Sequence, residues 1–509
     1  MGVWGVLGAT IGIISCFAAL AFGLFFFAYA AKYYASILIA LATLGRGKRE
    51  EGEASGEGED RRDAPLVSIH LPFYNEANVA RRIITACLNQ DYPNIEILVA
   101  DDSRDDTVRI IKERGWRSKP PIVKFLHRRD RSGFKGGALT EALRYMDPRA
   151  EFVAVFDADF IPPRETISRL INHFRESDRR SLGTDFPELQ PRTGAGKPVA
   201  AVQGYQLHYL NKSENWVTRA VRAEFSGSYM VERVAAERYG ALKMVSGSVF
   251  MLRADVLRKL KWGTSITEDW ELTLRLYREG YRVAYTPLIQ APAEIPTTIR
   301  ALAKQRMRWA EGHTYAVRRH FRGVLTSTKL TLAEKLEFVY LAPYYLQGLA
   351  LLVGTLCWLL AEANHTCPWF WRPAFGWALL LSNLLAAPLM CLAGLWLEGD
   401  LRADYQGVFG LVALTYLLAP YQGYAALRGL LESEEGTWIR TMKTGSITDR
   451  FLRMRLRSLL SWLSLGGRLG RLVPGAPRLP RLPIPARGIF GAVCLLLLVL
   501  PLAAAFAVI

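Results

Sequence analysis

Two acidic motifs and one basic-aromatic cluster have the residue types and spacing to act on a phosphorylated sugar. Asp157-Ala158-Asp159 sets carboxylates at i and i+2 between Phe156 and Phe160, at the end of an apolar run. Such a pair suits Mg2+ or Mn2+ shared with substrate phosphates, so Asp157 and Asp159 are candidate metal ligands, with a polar strand end as the plain alternative. Thr267-Glu268-Asp269 precedes the amphipathic run Trp270, Leu272, Leu274, Leu276, Tyr277. The acids are therefore expected in the first turn of a helix capped by Thr267, where they serve either as helix-starting charges or as a catalytic group. A carboxylate at Asp269 could take a proton from an attacking hydroxyl. From Thr298 onward no Gly or Pro occurs before Gly312, which predicts a helix. On it Gln305, Arg308 and Trp309 share one face, offering a carboxamide, a phosphate-shaped fork and a flat apolar plate.

Two further clusters belong to the same chemistry. Asp101 and Asp102 end an apolar run, where they could hold a ribose or base or simply form a turn. Arg131-Ser132-Gly133-Phe134-Lys135-Gly136-Gly137 opens a helix-like run, so Lys135 and nearby amides are expected to meet a diphosphate, although the spacing is not that of a P-loop.

The elements that must position these groups alternate. Strands are predicted at Leu66–Leu71, Ile95–Ala100 and Phe152–Phe156, and helices at Glu76–Asn89 and Lys135–Met146, which implies a parallel α/β sheet. Ligands bind such sheets at the carboxyl ends of strands. There Tyr74-Asn75-Glu76, Asp101-Asp102-Ser103 and Asp157-Ala158-Asp159 converge on one edge.

The chain has 509 residues, of which 50% are hydrophobic, and a mean hydropathy of +0.10, too apolar for an ordinary soluble enzyme. Its net charge of +17 is spread around hydrophobic spans and forms no nucleic-acid reading motif. Placement on the inner side of a membrane and contact with anionic ligands explain it better. The six cysteines have neither metal-ligand nor disulfide-framework spacing. Residues 1–45 read as a retained membrane anchor, 46–64 as a charged flexible linker, and 65–325 as the α/β domain. Residues 326–431 read as interfacial and transmembrane helices, with spans at Phe338–Ala361 and Phe375–Leu397 and an interfacial helix or shallow hairpin at Gly407–Leu431. Residues 432–487 form a cytosolic basic connector, and 488–509 a last span.

In the order Asp101 (with Asp102), Asp157 and Asp159, Thr267-Glu268-Asp269, and Gln305, Arg308, Trp309, these motifs make the chain similar to the membrane-embedded family 2 glycosyltransferases. That group holds cellulose, hyaluronan and plant mannan synthases. Pro72-Phe73-Tyr74-Asn75-Glu76 and Phe134-Lys135-Gly136-Gly137-Ala138-Leu139 also resemble family segments. The resemblance implies an α/β GT-A (Rossmann-like) cytosolic glycosyltransferase domain inserted between transmembrane helices, and nucleotide-sugar contacts through Tyr74, Glu76, Asp101, Asp102, Lys135, Asp157, Gln305 and Arg308. It implies catalysis at Thr267, Glu268 and Asp269, and an acceptor at Trp309, Ser246, Gly247 and Ser248. Met244-Val245-Ser246-Gly247-Ser248 departs from the synthases' acceptor segment.

Trp438-Ile439-Arg440-Thr441-Met442-Lys443-Thr444-Gly445 is similar to a gating loop, which implies closure of Trp438, Thr441 and Lys443 over the donor. The implied activity is metal-dependent, inverting polymerisation of a β-linked polysaccharide in the plasma membrane, the product leaving through the enzyme's own helices. UDP-glucose is the donor expected by analogy. A ceramide-glucosyltransferase-like enzyme releasing a glycolipid is the alternative.

Overall fold

Apolar, β-branched runs become strands where both faces can be covered, and in the strands Val67–Phe73, Ile95–Asp101 and Val199–His208 nearly every residue is buried. The computed structural model describes residues 3–46, 64–112, 122–181, 196–364, 373–436, 440–441, 443–449, 491–499 and 501. Its strands are β1 (Val67–Phe73), β2 (Ile95–Asp101), β3 (Ile122–His127), β4 (Phe152–Val155), β5 (Val199–His208), β6 (Phe250–Arg253) and β7 (Arg282–Ala293). They form one sheet in the order β3-β2-β1-β4-β6-β5-β7.

The first four strands are parallel, as expected, but the sheet as a whole is mixed. β6 runs antiparallel to both β4 and β5, with Phe250 opposite Val155. The reason is the path of the chain. β5 ends at the carboxyl edge, the helical segment Trp216–Arg238 follows, and β6 starts at that same edge and must run back down. The consequence matters for the site, because the loop Ser246–Val249 before β6 arrives at the edge where β1, β2 and β4 end. Val249 closes that loop fully buried at φ 58°, a costly conformation for a β-branched residue, roughly 1–3 kcal/mol. It is held there by Val249 N donating to Val155 O (3.0 Å) and Gly204 N donating to Val249 O (2.8 Å).

The predicted helices are observed at Ala77–Leu88, Phe134–Tyr145, Glu268–Arg278 and Ile299–Leu325. Thr298 caps the last, accepting from Ala301 N at 3.2 Å. Thr267 does not cap the helix it precedes. Its side chain makes no cap bond and instead lies 3.3 Å from the Ser265 hydroxyl.

Among the described residues, three stretches are long and apolar enough to cross a membrane: Val6–Leu44, Leu332–Ala363 and Phe375–Glu398. The first lies in a single helix, Val3–Arg46, unbroken at Lys32, whose ammonium meets Glu337 (2.6 Å) and Glu232 (3.3 Å). Its 44 residues rise about 66 Å, roughly twice the ~30 Å of a bilayer's hydrocarbon core, so one end has length to spare for packing on the domain. The second is interrupted near Pro343, which cannot donate a helix hydrogen bond, and resumes at Gln347–Ala363. Of the expected last span, residues 491–499 are helical and dock on Ser382, whose hydroxyl donates to Leu497 O at 2.8 Å. The expected linker (47–63), most of the basic connector (450–487) and Trp438 lie outside the described residues.

Residues Gln406–Leu431 form one helix that continues through Pro420, so the hairpin expectation is overturned. A Cβ on Gly407 would lie 2.1 Å from Arg219 O, and one on Gly429 would lie 2.3 Å from Glu311 O. Both ends therefore rest on helices of the α/β domain. Phe409, Tyr416, Tyr421 and Tyr424 stay exposed on the outer face, an arrangement suited to a bilayer interface. If the helix lies along that surface, Arg402→Cys and Ser446→Cys, both exposed and flanking it, will react with an impermeant maleimide from the same side of a sealed vesicle. Labelling from opposite sides would mean that the helix crosses.

Candidate functional site

Because β1, β2, β4, β5 and β7 end at one edge and β6 begins there, polar loops from distant parts of the sequence line a single cavity of about 1280 Å3. Lys135 sits at its centre. Its Nζ lies 2.8 Å from Asp157 Oδ1 and 3.1 Å from Glu268 Oε1, and it donates to Gly247 O at 2.7 Å. Burial would lower the ammonium's pKa, but Asp157 and Glu268 outweigh it and hold the group charged. Lys135 is thus tied to Asp157 and Glu268 and does not point freely from a helix start.

Asp269 faces the same cavity at the first turn of its helix, its carboxyl accepting from Trp270 N at 2.8 Å. Burial, reinforced by the neighbouring charge of Glu268, pushes Asp269 up to about 7. A carboxylate so poised matches a general base working near neutrality. Gly247, at φ 69°, leaves room for this grouping, since a Cβ there would stand 3.3 Å from Asp269 Oδ2. Gln305, Arg308 and Trp309 reach the cavity from the opposite wall, as does Arg306, which is paired with Glu224 at 2.7 Å and stacked 4.8 Å from the Trp309 ring.

On the other side, the guanidinium of Arg131 lies 3.4 Å from the centre of the Tyr74 ring. Glu76 pairs with Arg440 (3.2 Å), and burial raises its carboxyl to about 7. Asp159 is paired with Lys443 at 2.6 Å. The structure brings Asp102 to the cavity, though with both oxygens engaged by Arg128 (2.7 and 2.6 Å). Asp101 stands behind it, buried, 2.8 Å from His127 Nδ1 and accepting from Ser103 N at 3.0 Å. Ser246 and Gly247 line the cavity, whereas Ser248 is fully buried and spends its hydroxyl accepting from Asp157 N at 3.0 Å. Of the gating-loop residues, Thr441 and Lys443 line the cavity.

Sequence reasoning did not single out Arg131, Arg440, Glu294 or Glu435. Arg131 and Arg440 lay inside motifs of interest. Glu294 and Glu435 carry no local signal, because their partners lie far along the chain: Glu435 accepts from Ser265 Oγ (2.7 Å) and Ile266 N (3.1 Å), beside Thr267.

A seven-stranded mixed sheet with paired acids at its carboxyl edge is the GT-A architecture of glycosyltransferases. Residues 64–312, just under half of the chain, match the family described as Glycosyltransferase like family 2. The chain is 26% identical over 303 residues to the "Probable glucomannan 4-beta-mannosyltransferase 7" of Oryza sativa subsp. japonica, covering 58% of this chain and 48% of that one. It is 26% identical over 284 residues to "Glucomannan 4-beta-mannosyltransferase 9" of Arabidopsis thaliana, covering 54% and 50%. It spans about half the length of these relatives. Among solved structures, the mannosyltransferase PcManGT from Pyrobaculum calidifontis, in complex with GDP-Man and Mn2+, superposes with a TM-score of 0.48 at 19% identity, over 84% of this chain and 100% of that one.

The raised Asp269 pKa makes a pH prediction. If Asp269 must be ionised, kcat/KM for sugar transfer will fall as pH drops through about 7. Glu268→Gln removes a negative neighbour and should move that acid limb to lower pH by about one unit. An unmoved limb would separate Asp269 from the Glu268 charge.

Proposed function

We propose that the chain is an inverting glycosyltransferase of the plasma membrane that adds hexosyl units from a nucleoside diphosphate sugar to a growing β-linked polysaccharide. One observation carries this reading. The cavity runs without interruption from Asp157 and Asp269 past Trp309 to Phe22, Trp358 and Trp377, on helices long and apolar enough to cross a membrane. In this proposal the chain divides into anchor (1–45), linker (46–64), transferase domain (65–325), membrane and interface helices (326–431), gating segment with connector (432–487) and last span (488–509). The basic connector supports a cytosolic site for the domain.

In this reading Asp269 takes the proton of an acceptor hydroxyl as its oxygen attacks the anomeric carbon. The new glycosidic bond forms while the bond to the diphosphate breaks, and the diphosphate leaves with the electron pair. A single displacement inverts the anomeric centre. Glu268 and Thr267 fix the base, Lys135 and Arg308 face the leaving group, and Trp309 offers its ring to the acceptor sugar, with Ser246 and Gly247 beside it. Tyr74 and Arg131 present a stacked pair suited to a base, and Gln305 and Asp102 add polar contacts.

Asp157 and Asp159 present hard oxygen donors of the kind Mg2+ or Mn2+ prefers. No cluster of three His, Cys, Asp or Glu ligands forms among the described residues, so phosphate oxygens would have to complete the shell. When bound, such a cation would offset the charge of the departing diphosphate.

The names of the plant relatives favour a mannosyl donor over the UDP-glucose expected from sequence. A polymer fits the membrane side of the cavity better than a lipid tail does. Glu224, Glu232 and Glu337, paired with Arg306 and Lys32, line it with Tyr29 and Tyr33, and such charged and hydroxyl groups suit sugar hydroxyls better than an alkyl chain.

The test is incorporation from radiolabelled GDP-mannose and UDP-glucose by the purified chain in nanodiscs with Mg2+ or Mn2+, beside Asp269→Asn. The expected result is a large product digestible by a β-mannanase or cellulase, with roughly 100- to 10,000-fold less from the variant. A solvent-extractable glycolipid would overturn the polymer. Absence of transfer from a full panel of nucleotide sugars would overturn the enzyme reading.

A further inference from the structure

The strap that follows the interface helix is fastened at both ends and charged in the middle. Upstream, Gly436 N donates to Glu311 Oε1 at 2.8 Å, and Glu435 holds Ser265 and Ile266. Downstream, Thr448 N and Asp449 N both donate to Leu210 O at 3.1 Å. Between these ends Arg440 and Lys443 reach into the cavity and neutralise Glu76 and Asp159.

The tightest fastening lies just past Lys443. Glu294, 2% exposed and directly after β7, accepts from Thr444 N (2.5 Å) and Thr444 Oγ1 (2.8 Å) on one oxygen, and from Gly445 N (3.0 Å) on the other. Gly445 has φ 77°, and a Cβ there would stand 2.7 Å from Asn78 O, so the backbone turns sharply where Glu294 grips it. Arg82 adds a second clasp, donating to Gly445 O (3.3 Å) and to Asp159 O (3.2 Å).

We propose that Glu294 is a positioning residue for the donor. It pins the strap at Thr444-Gly445, so that Arg440 and Lys443 stand over the donor end of the cavity, resting on Glu76 and Asp159 until a nucleoside diphosphate offers its own negative charge. Glu294 touches neither substrate nor reacting atoms; it acts through the backbone it holds. The assignment rests on the glycosyltransferase reading for the nature of the ligand, while the fastening itself does not.

The experiment uses the full chain in nanodiscs. Glu294→Gln keeps the size of the side chain but turns one acceptor oxygen into an NH2 group, which then faces an amide donor. Thr444→Val, at an exposed position, removes the hydroxyl that donates to Glu294 and accepts from Ser446 N (3.2 Å), while both backbone donors to Glu294 stay. Amide exchange at residues 443–449 in ligand-free protein is expected to be about tenfold faster in Glu294→Gln, with a smaller rise in Thr444→Val and unchanged exchange in β1 and β4. Donor KM should rise about tenfold in Glu294→Gln, with kcat within about threefold of wild type.

Unchanged exchange at 443–449 in both variants would overturn the anchor, as would a loss confined to kcat. Should Glu294→Gln lose its fold, the exchange and KM of Thr444→Val decide alone. Wild type that neither transfers sugar nor binds UDP or GDP would sink the glycosyltransferase reading and the donor-positioning role with it, and the exchange result would then judge the fastening separately.

Discussion

Carboxylates crowd one end of the sheet, and holding them out of bulk water depends on cations built in beside them. Asp157 and Glu268 share Lys135, Asp159 meets Lys443, Glu76 meets Arg440, and Asp102 is clasped by Arg128. Breaking a buried pair by deleting one partner typically costs about 3–5 kcal/mol, since the remaining charge is stranded. The site is therefore held by mutual charge compensation. Asp269 is the exception. It has no direct cationic partner at hydrogen-bond distance among the pairs described, and burial with the charge of Glu268 leaves its pKa near 7, where the group can both lose and take a proton. The same crowding that endangers the fold supplies the chemistry.

The cations are not equivalent. Lys135 comes from the helix Phe134–Tyr145 and is locked between the sheet edge and the Glu268–Arg278 helix, so it belongs to the scaffold. Lys443 and Arg440 come from a strap that the chain lays down after the interface helix, and they meet Asp159 and Glu76 from outside the sheet. A phosphate group entering the cavity can draw such cations to itself without unpacking a strand. Scaffold and strap thus compensate different carboxylates of one cavity, Asp157 and Glu268 from within the domain, Glu76 and Asp159 from the later segment.

Much of this was legible in the sequence where local pattern decides structure. β1, β2 and β4 are short apolar runs buried on both faces, and each ends in the polar cluster that the parallel arrangement requires. The face shared by Gln305, Arg308 and Trp309 followed from helical spacing alone. What local pattern could not carry was direction and partnership. The reversal of β6 depends on where a long helical excursion ends, which periodicity does not record. Asp101 and Asp102 read as either ribose or base contacts or a turn, because His127 and Arg128, which engage them, come a strand later in the chain. Thr267 had the type and place of a cap, yet the Ser265 hydroxyl and the close approach of Gly312 claim its side chain. The charge rule left an interfacial helix or a shallow hairpin open at Gly407–Leu431, and the close packing of Gly407, Gly423 and Gly429 against neighbouring helices accompanies a single unbroken helix.

The membrane helices and the site are joined by a buried network that explains why one cavity can serve both. Arg222, 1% exposed, is bound to Glu398 at the end of the Pro373–Glu398 helix and lies 3.5 Å from Asp404, which Lys212 also meets at 2.6 Å. The Tyr205 hydroxyl on β5 bonds the same Glu398. Two residues before Tyr205, Gln203 accepts from Ser246 N at 2.8 Å and donates to Ser248 O at 2.9 Å, and Ser248 in turn holds Asp157. A displacement of that helix end would be felt, through β5, at the loop that lies beside Asp157 and Asp269. Because the links are hydrogen-bonded and buried or half-buried, a shift of the helix end and a shift of the loop are coupled, and Trp309 and Asp269 are held on walls of the same cavity.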